Sequence, residues 1–145
     1  MPYKVSHGKA IPIGYSSDEV FSRIQHEGIQ FIDLQFTGLT GHFHHTTISA
    51  NTFTPEQMRD GLPKLDGSSI IGFADINDSD LLLKPDPNTF AIIPWMTENK
   101  TARLLCDVYW GENRGRLSRD PRGIAQKAEE YIKTEGVAFS TRRAD

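Results

Sequence analysis

Phe31-Ile32-Asp33-Leu34-Gln35-Phe36-Thr37-Gly38-Leu39-Thr40-Gly41-His42-Phe43-His44-His45-Thr46-Thr47-Ile48-Ser49 is the stretch on which the fold turns. From Ile29 to Thr37, Ile32, Leu34 and Phe36 alternate with Phe31, Asp33, Gln35 and Thr37, a period of two that predicts a strand with one apolar face. Gly38-Leu39-Thr40-Gly41 reads as a turn, and His42 to Ser49 as the returning strand. An antiparallel hairpin therefore stands near the start of the chain.

On the N-terminal side, Ser16 and Ser17 are placed to cap a helix carrying Val20, Phe21 and Ile24 on its inner face and ending at Gly28. On the C-terminal side, Thr54 as cap and Pro55 at the first helical position predict a short helix, stopped by Gly61 and Pro63. Leu65 to Asn77 reads as polar loop. Leu81-Leu82-Leu83 and Phe90 to Pro94 are brief apolar runs joined by a turn at Pro85-Asp86-Pro87-Asn88, and Thr101 to Tyr109 is a further strand. Asp120-Pro121 opens the clearest helix, with Ile124, Ala128, Tyr131 and Ile132 in one stripe and Gly136 at its end. With no regular β-α-β repeat, this order predicts an α+β fold with a mixed sheet.

The 145 residues suffice for one hydrophobic core. The composition, 37% apolar and 24% charged, is that of a soluble globular protein. The net charge of −3 comes from interspersed signs, which argues against nucleic acid as a partner. Arg103, Arg114, Arg116, Arg119 and Arg122 form a basic stretch, but Asp107, Glu112 and Asp120 dilute it to a solvated face. Met1 to Tyr15 lacks the apolar run of a signal peptide, and no stretch approaches the ~20 apolar residues of a membrane span. Cys106 lies in an apolar run and is expected to be a buried, unreactive thiol. These features fit a cytoplasmic protein.

One further segment bears on function: Leu65-Asp66-Gly67-Ser68-Ser69, then after eight residues Asp78-Ser79-Asp80 and the apolar run from Leu81. Alone, Asp-Gly-Ser-Ser is a turn sequence. In its context it resembles the amino-terminal motif of glutamine synthetases. The hairpin at Phe31–Thr37 and Gly41–Ile48 looks like that family's first hairpin. Lys84-Pro85-Asp86-Pro87-Asn88-Thr89 and Arg119-Asp120-Pro121-Arg122-Gly123-Ile124-Ala125 look like its later landmarks. The likeness runs from about Val20 to Gly136.

The resemblance implies a β-grasp-like mixed sheet with a packed helix, followed by a C-terminal helix. The boundaries are an N-terminal extension over 1–15, a β-grasp domain over 16–112, a linker and helix over 113–138 leading toward a catalytic domain, and a divergent tail over 139–145. It further implies ATP-dependent ligation of ammonia to glutamate through a γ-glutamyl phosphate, with Mg or Mn and ATP as cofactors of the full-length enzyme. Its partners would be neighbouring subunits of a homo-oligomeric ring. Asp66 matches the aspartate that holds ammonium across the subunit interface and helps to remove its proton. Ser69 matches a serine of the same substrate pocket, and Phe73 an aromatic near the nucleotide. Asp80 is expected to order the loop.

The chain has no phosphate loop of the G-x-x-x-x-G-K type and no cluster of acids for two cations, so by itself it is expected to be inactive. Phe139 to Asp145 does not look like the family; a truncated chain, an altered reading frame or a natural short relative would each account for it. Two other readings stand beside the ligase. One is an inactive module that docks on full-length synthetase subunits. The other is metal binding by His42 and His44, which share a face of the strand while His45 points away; two ligands are too few for a metal site. Trp95, Trp110 and Phe139 are expected on the surface left open by the catalytic domain.

Overall fold

Ser16 starts the first helix by a reciprocal cap: its hydroxyl accepts from the backbone of Glu19, and the Glu19 carboxylate accepts from the backbone of Ser16. A computed structural model describes residues 3–6, 9–12, 14–73, 80–112 and 114–135. Helix α1 (Ser17–His26) buries Val20 and Ile24, and Gly28 leaves it at a φ of +65° that suits glycine. Helix α2 (Pro55–Asp60) has the same kind of cap, with Thr54 and Gln57 exchanging hydrogen bonds, and it buries Met58.

Ahead of α1 lies a hairpin of β1 (Tyr3–Ser6) and β2 (Lys9–Pro12), in the part of the chain read from sequence simply as an extension. The main sheet holds β3 (Phe31–Thr37), β4 (Phe43–Ser49), β5 (Leu62–Asp66), β6 (Asp80–Pro85), β7 (Ala91–Ile92) and β8 (Thr101–Trp110). Its order is β4-β3-β8-β6-β5, with β7 also paired to β8. The β3–β8 pair is parallel and the others are antiparallel, which makes the sheet mixed. One face carries Ile32, Leu34, Phe36, Ala102, Leu104, Cys106, Val108, Leu81 and Leu83, all buried in one cluster with Val20, Ile24 and Met58. This is the α+β fold with a mixed sheet that the element order predicts, and the β-grasp arrangement with a following C-terminal helix that the resemblance implies.

Helix α3 (Pro121–Thr134) begins as its sequence suggests, with Asp120 as cap and Pro121 in the first turn. The stripe of Ile124, Ala128, Tyr131 and Ile132 is not packed into the core: Tyr131 is 66% exposed, Ile124 and Ala128 are exposed, and Ile132 is half-buried. Polar contacts at the first turn hold the helix instead. Asp120, fully buried, accepts from the backbone of Val108 at 3.1 Å and Arg122 at 3.1 Å and from the Arg116 guanidinium at 3.0 Å. Arg116 also meets Asp107 at 2.7 Å, and Arg122 bridges Asp107 and Asp86. Burial alone would lower the Arg122 pKa, but its bonds to Asp86 and Asp107 outweigh this and raise it. A Cβ on Gly123 would come within 2.6 Å of Arg116 Nε, so a larger residue there would displace the arginine from these bonds.

Three expectations need correction. Leu65 and Asp66 belong to β5 and not to a loop; Pro63 is tolerated because β5 is an edge strand whose pairing with β6 shifts register between Leu62 and Leu65. His42 lies outside β4, its Nδ1 3.0 Å from the Thr40 hydroxyl, while His44 stacks on Phe36 with ring centroids 5.4 Å apart. His42 therefore stands in the turn ahead of the strand that carries His44. Trp110 is half-buried against the core, with the Arg114 guanidinium 4.8 Å above its ring. The helix end expected at Gly136, the exposure of Phe139, and Asp78-Ser79 lie outside the described residues.

Candidate functional site

Asp66 is the last residue of β5 and also caps the 3-10 turn Gly67–Ser69. One carboxylate oxygen accepts from the Ser68 backbone at 3.0 Å and from its hydroxyl at 2.7 Å, and the other from the Ser69 hydroxyl at 3.4 Å. The Asp-Gly-Ser-Ser segment thus folds on itself, holding an exposed carboxylate and two hydroxyls together at the sheet edge. Asp66 and Ser69 are exposed, whereas Gly67 is buried. Asp80, at the start of β6, stands opposite Asp66 in the strand register, and its carbonyl accepts from the Gly111 backbone at 2.9 Å. Asp66, Asp80 and Glu112 border an open groove of about 490 Å³.

Beyond Ser69 the chain returns to the core. Ile70 is buried, Ile71 exposed, and Gly72 adopts a φ of +79°. A Cβ on Gly72 would meet Leu39 at 2.6 Å, so the loop closes against the turn of the β3–β4 hairpin. Phe73 is 1% exposed, its ring 6.2 Å from that of Phe36. In this chain Phe73 anchors the loop end and offers no open ring face. The Gly72 carbonyl accepts from Arg119 at 2.9 Å. The motif pattern places Asp66 and Ser69 together, but nothing in the sequence marks Arg119 as a partner of this loop.

A second polar group lies on the other face of the sheet. Asp33 is 8% exposed, and its carboxylate accepts from Gln35 at 2.8 Å and Thr47 at 2.9 Å and meets His45 Nδ1 at 2.7 Å. Burial pushes its pKa up, but the bonds from Gln35, His45 and Thr47, together with the His45 charge, outweigh this and leave it below the usual value. Phe31, Phe43, Trp95 and Met96 surround this group in a concavity of about 700 Å³. Cys106 is fully buried, and burial, with the Asp107 charge, holds its thiol far above the usual range. Among the described residues no group of three or more His, Cys, Asp or Glu side chains is arranged to hold a metal ion.

The family profile described as "Glutamine synthetase, beta-Grasp domain" matches residues 28–111, more than half of the chain. The chain belongs to the glutamine synthetase family. The glutamine synthetase of Sulfolobus acidocaldarius is 46% identical over 118 residues, covering 81% of this chain and 24% of that protein. The glutamine synthetase of Aquifex aeolicus is 46% identical over 123 residues, covering 85% of this chain and 26% of the relative. The chain thus spans about a quarter of the length of these relatives, and its synthetase domain is the amino-terminal one. The fold is also that of Plasmodium falciparum glutamine synthetase, with a TM-score of 0.76 at 23% identity over 87% of this chain and 24% of that one. No helix among the described residues is long and apolar enough to cross a membrane.

Proposed function

We propose that this synthetase domain supplies the ammonium-side loop of an intersubunit active site that ligates ammonia to glutamate at the expense of ATP. The observation that carries this reading is the exposed carboxylate of Asp66, held at the edge of the sheet by its own turn with the Ser69 hydroxyl beside it. Ammonium has no lone pair and cannot attack an acyl phosphate until a proton leaves. A carboxylate facing a water-poor pocket stabilises the cation and stands where that proton must go. Ser69 contributes a hydroxyl at the same rim. Phe73 fixes the loop end from below, and its place near the nucleotide is through that support. An edge strand suits the task, because it can present its end to a neighbouring subunit of a ring.

In the full-length family Mg or Mn and ATP activate the γ-carboxylate of glutamate. The described residues do not fit that group: they include no cluster of three or more His, Cys, Asp or Glu side chains arranged to hold a cation. In this reading those ligands are held by the part of the synthetase that the chain does not span, and no step through them is assigned to this domain. A second reading, an inactive module that docks on synthetase subunits, is favoured by the aromatic rim of Phe31, Phe43 and Trp95 on the sheet's outer face.

The test uses Asp66→Asn in a full-length synthetase carrying this domain. Loss of general-base assistance should cost glutamine formation ~10²–10⁴-fold. Hydroxylamine is largely neutral near pH 7 and brings its own lone pair, so hydroxamate formation should suffer much less. Equal loss with both nucleophiles, with a lowered melting temperature, would reduce Asp66 to a turn residue.

A further inference from the structure

The loop that carries Asp66 and Ser69 is held at its two ends by different parts of the fold. At the first end, β5 pairs with β6. At the second, Phe73 enters the core beside Phe36, and the Gly72 carbonyl takes a hydrogen bond from Arg119, 47 residues away. Between these ends Ser69 and Ile71 are exposed, while Ile70 is buried in the core cluster. Its internal backbone bonds are those of Ile70 to Gly67 at 3.2 Å and Phe73 to Ile70 at 3.1 Å.

Arg119 is itself well supported. It directly precedes Asp120, whose buried carboxylate caps α3 and binds Val108, Arg122 and Arg116. The backbone at residue 119 is therefore fixed to β8 and to the first turn of α3, while its side chain reaches out to the loop. A guanidinium is a charged donor, and its bond to a carbonyl is stronger than one between neutral groups.

We propose that Arg119 is a positioning residue for the Asp66 loop, tying Gly72 to the start of α3 so that the loop follows that helix. The tie stands on geometry alone, while its consequence for catalysis rests on the function proposed above. In a full-length synthetase carrying this domain, the same tie would transmit the seating of α3 to the ammonium side of the site.

Residue-resolved hydrogen exchange on the 145-residue chain tests the tie. In Arg119→Ala the amides of Ile70 and Phe73 should exchange roughly tenfold faster, with those of Leu104 and Val108 and the melting temperature unchanged. Arg119→Lys, which keeps a charged donor, should restore most of the protection. Arg119→Met, which keeps the aliphatic stem, gives the same comparison if the alanine variant does not fold. Unchanged exchange at Ile70 and Phe73 would overturn the proposal, as would faster exchange spread through β3 and β8 with a lower melting temperature. A separate measurement addresses the catalytic reading. In a full-length synthetase carrying this domain, Arg119→Ala should raise the KM for ammonium roughly tenfold and leave that for glutamate unchanged. An unmoved ammonium KM beside faster loop exchange would uphold the tie and sink the assignment of this loop to ammonium.

Discussion

Asp66 and Asp80 face each other directly across the β5–β6 pair, two carboxylates at opposed positions of an antiparallel register. Opposed like charges destabilise a strand pair, and this pair lies at the base of the loop assigned to ammonium. Two anions at the mouth of the groove favour the approach of a cation and disfavour the fold that holds them.

That conflict makes a prediction for the chain by itself. Asp80→Asn should raise stability by about 0.2–1 kcal/mol, because the repulsion is lost while the pairing is kept. Asp66→Asn should be neutral or mildly stabilising, since an amide oxygen can still accept from Ser68. Urea midpoints at neutral pH decide the matter, and a loss of more than about 1 kcal/mol in Asp80→Asn would show that the carboxylate supports the loop.

Much of this fold is legible in the sequence where local pattern and tertiary context agree. Ile32, Leu34 and Phe36 alternate because one face of β3 is buried, and Ser16, Thr54 and Asp120 announce the helices because a cap is a local event. Strand β5 is missed because its pairing partner lies well beyond it in sequence and Pro63 argues against a strand. The stripe on α3 is read correctly as apolar, but spacing reveals a face and not what covers it, and Ile124 and Tyr131 stand exposed. Asp66 and Ser69 are visible through the motif that holds them, whereas Arg119 is not. Its bond to Gly72 is a meeting of distant segments that only the fold brings about.

Asp120 should be among the costliest single side chains to remove. Its buried carboxylate satisfies two backbone amides and a guanidinium, and Asp120→Ala would leave these donors without it in a site closed to water. Breaking a buried ionic group of this kind costs about 3–5 kcal/mol. Chemical denaturation of the two proteins side by side measures it. A loss below about 1 kcal/mol would mean that α3 is held mainly by other contacts.

The two tryptophans should report separately on the outer surface. Trp95 is 78% exposed, while Trp110 packs against the core beneath Arg114. Acrylamide should quench two fluorescence classes, and Trp95→Ala should remove the accessible one while changing stability by no more than about 0.5 kcal/mol. An apolar dye should also bind the face of Phe31, Phe43 and Trp95 and bind less after that substitution. A single quenching class with no dye binding would show that this face is covered.

Asp33 gives the chain a specific acid sensitivity. Its pKa lies below the ordinary aspartate value in the fold, because Gln35, His45 and Thr47 donate to its charged form and outweigh the cost of burial. A depressed carboxylate binds its proton less readily when folded than when unfolded. Its stabilisation is therefore fully present above the unfolded pKa and is lost as the pH falls through the folded one. Between about pH 5 and the depressed value, wild type should lose stability more steeply than Asp33→Asn, whose amide does not titrate. Near neutral pH Asp33→Asn should be the less stable protein, since an amide cannot accept from three donors as a carboxylate does. Thr47→Val isolates one of those bonds and should shift the acid limb toward higher pH, because the carboxylate it leaves is easier to protonate. Urea midpoints across that range test all three proteins, and parallel curves for wild type and Asp33→Asn would show that Asp33 has no part in the acid response.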